Sequence, residues 1–398
     1  MAFEKRDIKP RKKSYYQFSK NYPGKRSGTL YAIGESRARR KKEKREKVIF
    51  AVCLVIFFAA VFLISSVAIN LSKKPLENKL PSAAKEFDGK LRAVYMPDEV
   101  LDGGIAFELF KSELSGYKAN AVMVDFKTKD GYLNYSLPVS AANDIGALSH
   151  TYENAAYTLQ QLKNAGYKII ARIYCYEDSV AAAQLGAAAA VTSADGSIWL
   201  DNSARLDGNP WLNPYSADAE KYLLSIIRET AKSGVDVIML SSVQFPQSDY
   251  ISKAVFTGED KSVESRNSIL HRFIEKAVNE SGDIPVCVSM TAGGALNGDA
   301  DIYDGSVFDS TAAFSGVDFR QESLQDGLKF GENVYSSENI GVGNLISGSI
   351  PLLKQKLSEN YHTMAMIPII DNEEYVSILD NLGINNYILF VEQKKADT

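Results

Sequence analysis

Several polar residues stand at the ends of strongly apolar runs, the places where a parallel α/β fold presents its reacting groups. The run ANAVMVDF (119–126) ends at Asp125, and Lys127 follows. YKIIARIYCY (167–176) carries Arg172 and Tyr174 and leads into Glu177 and Asp178. VDVIML (235–240) leads into Ser241, Ser242 and Gln244, and IPVCVSM (284–290) leads into Thr291. Carboxyl groups facing one another across a cleft can do acid–base or nucleophilic work. Asp125, flanked by basic groups, suits an orienting or nucleophilic role better than proton donation. Asp125 and Lys127 lie two apart on one strand, so their side chains are expected on the same face. They are either a functional pair or part of an ion pair with Arg172 that closes the end of the fold. Both tryptophans, Trp199 and Trp211, fall in one loop, IWLDNSARLDGNPWLNPYS (198–216), with Asp201 and Tyr215. They either contact a ligand, as aromatics lining a pocket do, or pin the loop to the body of the domain.

Other chemistries find no support. The three histidines, His150, His271 and His362, are scattered, and Cys53, Cys175 and Cys287 lie in apolar runs with no zinc or disulfide spacing. No metal, cofactor or GxSxG elbow is expected.

A repeating pattern positions these residues. Helical stretches near 105–115, 152–165, 216–232 and 263–279 precede apolar runs, several with a glycine between. Seven strands are expected, at 91–96, 119–126, 168–175, 236–241, 284–290, 363–370 and 387–391, with one more hidden in 305–345. GVGNLISG (341–348) reads as a loop. The strand runs are apolar throughout rather than alternating, as in a parallel sheet covered on both faces. Seven or eight βα units in ~310 residues favour an α/β fold of the (β/α)₈ TIM-like class. An open Rossmann-type sheet is the alternative, but no glycine-rich fingerprint follows the first strand.

The N-terminal fifth is different in kind. Val48–Ser72 carries no charge and is long enough as a helix to span a bilayer. The preceding tail holds 17 Lys/Arg against 5 Asp/Glu, a net of about +12, so the rest of a chain at −4 carries about −16. Basic residues next to a span stay in the cytoplasm, which puts the large C-terminal portion outside. The expected organisation is a disordered basic tail (1–47), a retained transmembrane helix (48–71), a linker (72–90) and an extracytoplasmic barrel (91–396). The tail is expected to touch anionic lipid or a cytoplasmic partner. No nucleic-acid-binding motif is present.

The stretches LRAVYM, NAVMVDFKTKDGYLNY, GYKIIARIYCYEDSVAA, WLNPYS and SGVDVIMLSSVQFP, in this order, resemble the DUF4015 glycoside hydrolase barrel family. The resemblance runs from Leu91 to about Pro246. It implies a (β/α)₈ fold that binds or cleaves polysaccharide, with Asp125, Lys127, Arg172, Asp178, Trp211, Pro214 and Tyr215 at positions the family uses. Departures concern the acids. The family's fourth strand reads like FDYVRFP, whereas this chain has LSSVQFP, with Ser241 at the acid position and Gln244 at the arginine position. Asn213 replaces the acid of a WVDPYS-like motif, and strand five ends in Met290 and Thr291. Glycoside hydrolysis normally uses two carboxyl groups, and serine and asparagine replace neither. The expectation is a catalytically degenerate barrel that binds cell-envelope or extracellular glycan through Asp125, Lys127, Arg172, Trp199, Trp211, Tyr215, Ser241 and Gln244. An active glycosidase using Asp125 with a second acid such as Asp178, and a non-enzymatic envelope scaffold, are the alternatives.

Overall fold

The structure is a computed structural model that describes residues 90–298, 302–306, 310–324, 327–356, 362–368 and 372–390. The basic tail, the apolar run at 48–71 and nearly all of the linker fall outside the described residues. Among the described residues no helix is long and apolar enough to cross a membrane.

Eight parallel strands close into a barrel. They are β1 (Arg92–Tyr95), β2 (Ala121–Lys127), β3 (Lys168–Tyr174), β4 (Val237–Ser241), β5 (Val286–Thr291), β6 (Phe314–Asp318), β9 (His362–Pro368) and β10 (Asn386–Phe390). Each pairs with its neighbour in this order, and β10 returns to β1. A small antiparallel hairpin, β7 (Leu328–Phe330) and β8 (Asn333–Tyr335), stands apart from the barrel sheet. The helices used below are α1 (Gly104–Leu114), α2 (Ala155–Asn164), α3 (Ser179–Gln184), α4 (Ala217–Lys232), α5 (Arg266–Ser281), α6 (Ala292–Asn297), α7 (Val342–Lys356) and α8 (Asn372–Asn381).

The continuous apolar runs become strands buried on both faces. All seven residues of β2 and all five of β4 are buried. Alternate residues fill the barrel: Leu91, Ala93, Ala121, Met123, Ile170, Val237, Met239, Cys287, Phe314, Met364, Met366, Ile388 and Phe390 form one closed cluster. The other face packs against the helices, as Leu223, Ile226 and Ile227 of α4 and Phe273, Ile274 and Ala277 of α5 do. Ser216 and Ser265 cap these two helices by accepting from Ala219 and Ser268 amides, which satisfies donors a helix start leaves open.

The unassigned strand is β6. It is only five residues long and carries Gly316 at its centre, so it lacks the β-branched run that marks the others. The glycine lets the strands approach closely, because a Cβ there would lie 3.2 Å from the Ser289 backbone. One expectation is corrected. Residues 342–348, read as a loop, form the first two turns of α7, in which Gly343 is buried. Gly343 faces Tyr375 and Ile378 of α8 at distances that leave little room for a side chain.

Candidate functional site at the barrel mouth

The inward-facing residues at the strand ends form the top layer of the barrel. Arg172 of β3 lies under this layer at 3% exposure. Its Nε and Nη2 donate to the two oxygens of Asp125 on the adjacent β2, at 2.5 and 2.8 Å. Three rings cage the guanidinium: Tyr95 at 5.0 Å, Tyr174 at 4.8 Å and Phe390 at 5.5 Å from their centroids. Flat guanidinium faces suit such stacking, and the bidentate carboxylate fixes the plane. Next to it Arg320 clamps Asp318 in the same manner, at 2.7 Å, and lies 4.1 Å from the Phe390 ring centroid. The axis of the barrel is thus filled at its mouth by paired charges and aromatic rings.

Tyr95 ties a second acid to this layer. Its hydroxyl stands 3.2 Å from Asp125 Oδ2 and 3.4 Å from Asp98 Oδ1. Burial, reinforced by the Asp125 carboxylate, pushes the Asp98 carboxyl up to about 6. The Tyr95 phenol is held far above its ordinary value by burial and by both carboxylates, so it remains a donor. Burial also pushes the Tyr174 phenol up to about 12.

On the opposite side of the mouth, Ser241 Oγ and Ser289 Oγ share a 2.6 Å hydrogen bond in a buried setting. Ser242, the next residue, takes a left-handed conformation (φ +52°) and donates to Glu177 Oε2 at 2.8 Å. Burial raises the Glu177 carboxyl. A cleft of about 410 Å³ opens beyond, between the loop containing Asp201 and the segment after β4. Among the described residues no group of three or more His, Cys, Asp or Glu is placed to hold a metal ion.

Several expectations need correcting. Asp125 and Lys127 do not share a face, because the register shifts by a bulge between them. Lys127 is wholly buried and pairs with Asp178 at 2.8 Å while donating to the Tyr174 carbonyl at 2.6 Å. Asp178 caps α3 by accepting from the Ala181 amide, and it too is wholly buried. Its carboxyl is spent on a buried ion pair and a helix cap rather than presented to a cleft as a second acid. Trp199 and Trp211 offer no exposed ring. Both are at most 5% exposed, and their indole N–H groups donate to the Tyr250 carbonyl and to Asp201 Oδ2. They pin the loop. Tyr215 is half-buried against Phe245, and Gln244 accepts from the Tyr303 hydroxyl at 3.0 Å.

Asp98, Phe390, Asp318 and Arg320 were not singled out from the sequence. Asp98 lies three residues beyond Tyr95, so reading past the first strand as past the others would have found it. Asp318 and Arg320 belong to the unassigned segment around β6.

The sequence profile of DUF4015, described as a putative glycosyl hydrolase domain, matches residues 93–300, more than half of the chain. The chain belongs to this family. The DUF4015 match takes in β1 through β5 and therefore Asp98, Asp125, Arg172 and Ser241. Solved structures similar to it include a hypothetical protein from Ruminiclostridium thermocellum, 24% identical over 49% of this chain and 96% of that one, at a TM-score of 0.43. An alpha-galactosidase from Thermus thermophilus is 10% identical over 76% of this chain and 58% of that one, at 0.44. An endocellulase from Pyrococcus horikoshii is 11% identical over 78% and 86%, at 0.44. No curated protein matches.

Proposed function

We propose that this DUF4015 member is a membrane-tethered barrel, facing outward, that binds glycan of the cell envelope or extracellular matrix without cleaving it. The observation that carries the reading is the Ser241–Ser289 hydroxyl pair, 2.6 Å apart, where the family pattern implies an acid. Hydroxyls at that place cannot serve as nucleophile or general acid for a glycosidic bond. The acids at the mouth, Asp125 and Asp318, have both oxygens engaged by Arg172 and Arg320. The uncharged run at 48–71 and the basic tail before it support the tether and its orientation, and leave the tail to meet lipid or a cytoplasmic partner. Cosedimentation of the full-length protein with purified envelope polysaccharide tests this reading. Saturable retention is expected, and its absence across wall, capsule and matrix fractions would overturn it.

One observation favours a second reading, an active hydrolase. Tyr95 brings Asp98 and Asp125 together, and Asp98, lifted to about 6, has the protonation a general acid needs. Asp98 would then take the part first assigned to Asp178. That enzyme would show a pH–rate limb near 6 that disappears in Asp98→Asn.

A further inference from the structure

The axis of the barrel is closed by the Arg172 cage, so a ligand has to be taken off-axis. The cleft over β4 has room for one. It measures about 410 Å³, within the ~300–1,000 Å³ range of small-ligand sites, and Asp201, Asn202, Gln247, Ser248 and Asp249 are among its polar lining. The lining combines amides, a hydroxyl and carboxylates with the apolar surfaces of Pro246, Ile251 and Ile302, the mixture that a polyhydroxylated ring requires. We propose that this cleft binds an amino sugar in its protonated, de-N-acetylated form. The inference rests on the glycan-binding reading and adds the class of sugar.

Charge decides the class. Two carboxylates line the cleft, and neither lysine nor arginine does. Asp201 is already committed: its oxygens accept from the Asn209 amide at 2.7 Å and from the Trp211 indole at 2.9 Å. That fixes one wall. Asp249 is exposed and pairs with no cation among the described residues, so its charge is available to an ammonium. Glu177 adds negative potential beside Asp201, partly offset by Lys129. Lys253 lies over the Tyr250 ring, 5.1 Å from its centroid, but does not line the cleft. A sugar carboxylate or phosphate would meet only repulsion here, while an ammonium gains an attraction that salt screens.

Titration calorimetry on the full-length chain in detergent tests the assignment, with glucosamine tetramer, N-acetylglucosamine tetramer and trigalacturonate as probes. The amino form should bind about tenfold more tightly than the N-acetylated form at low salt. The advantage should shrink at high salt and fall to about threefold or less in Asp249→Asn. Trigalacturonate should not bind. Equal affinity for the two hexosamine forms, or an advantage that survives Asp249→Asn, would overturn this inference and leave glycan binding standing. Failure of every envelope polysaccharide and every probe to bind would remove both.

Discussion

At the scale of single residues, the mouth is governed by charges that have given up water for one another. Removing Arg172 would strand the Asp125 carboxylate in a buried layer, so Arg172→Ala should destabilise the domain by about 3–5 kcal/mol in urea unfolding. The double variant Arg172→Met/Asp125→Leu should recover much of that loss, because a buried pair is costly mainly when broken. Asp98 makes a separate prediction with a definite sign. Its folded carboxyl is lifted from 3.8 to about 6, so the fold prefers it neutral. Its contribution to stability is fully present below 3.8 and is lost as pH rises through about 6. Asp98→Asn should therefore raise the melting temperature at pH 7 to 8 relative to the native chain and flatten the dependence between pH 4 and 6. A parallel pair of curves would contradict the assignment. The Asp125–Arg172 ion pair was open to sequence reading, since both stand at matching ends of adjacent apolar runs. The aromatic cage was not, because Tyr95 and Phe390 lie almost 300 positions apart and meet only when β10 closes against β1.

At the scale of elements, the bulge in β2 decides which polar residues face the mouth. One extra residue between Asp125 and Lys127 turns the lysine to a buried partner on the start of α3. Strict alternation, the rule available from sequence, assigned Lys127 to the wrong face for this reason. Gly131 supports the same junction: it has φ +101°, and a Cβ would fall 2.0 Å from Asp178 Oδ1. Gly131→Ala should displace the Asp178 cap and lower stability by about 2 kcal/mol or more, and Lys127→Met should cost about 3–5 kcal/mol by leaving Asp178 unpaired. Thermal unfolding checks both, and a wild-type melting temperature in Gly131→Ala would contradict the packing. Seven of the eight barrel strands were legible because burial on both faces leaves uninterrupted Val, Ile, Leu and Met. β6 was not, because its contribution is a small residue, Gly316, against β5. The tryptophans misled for a related reason. Residue type announces an aromatic loop, but only the packing of the loop shows whether a ring faces solvent or the core.

At the scale of the whole molecule, the proposed tether and outward orientation carry expectations of their own. The full-length protein should sediment with membranes, resist high salt and be released by detergent, and deletion of 48–71 should leave it in the soluble fraction. External protease should degrade the barrel's side of the chain and spare an N-terminal tag, and the reverse pattern would contradict the orientation. What the family relationship establishes is a glycosyl hydrolase-like barrel. The proposal that this chain binds glycan without cleaving it rests on the chemistry at its mouth: a serine pair where the family pattern implies an acid, and an Asp125 spent on Arg172. The decisive measurement is prolonged incubation of the full-length protein with bound glycan in heavy-oxygen water from pH 4 to 8, read by mass spectrometry of the reducing ends. Glycan recovered intact, with no new reducing ends and no heavy oxygen beyond that of a protein-free control, is the expected result. Incorporation by the native chain that disappears in Asp125→Asn or Asp98→Asn would contradict it.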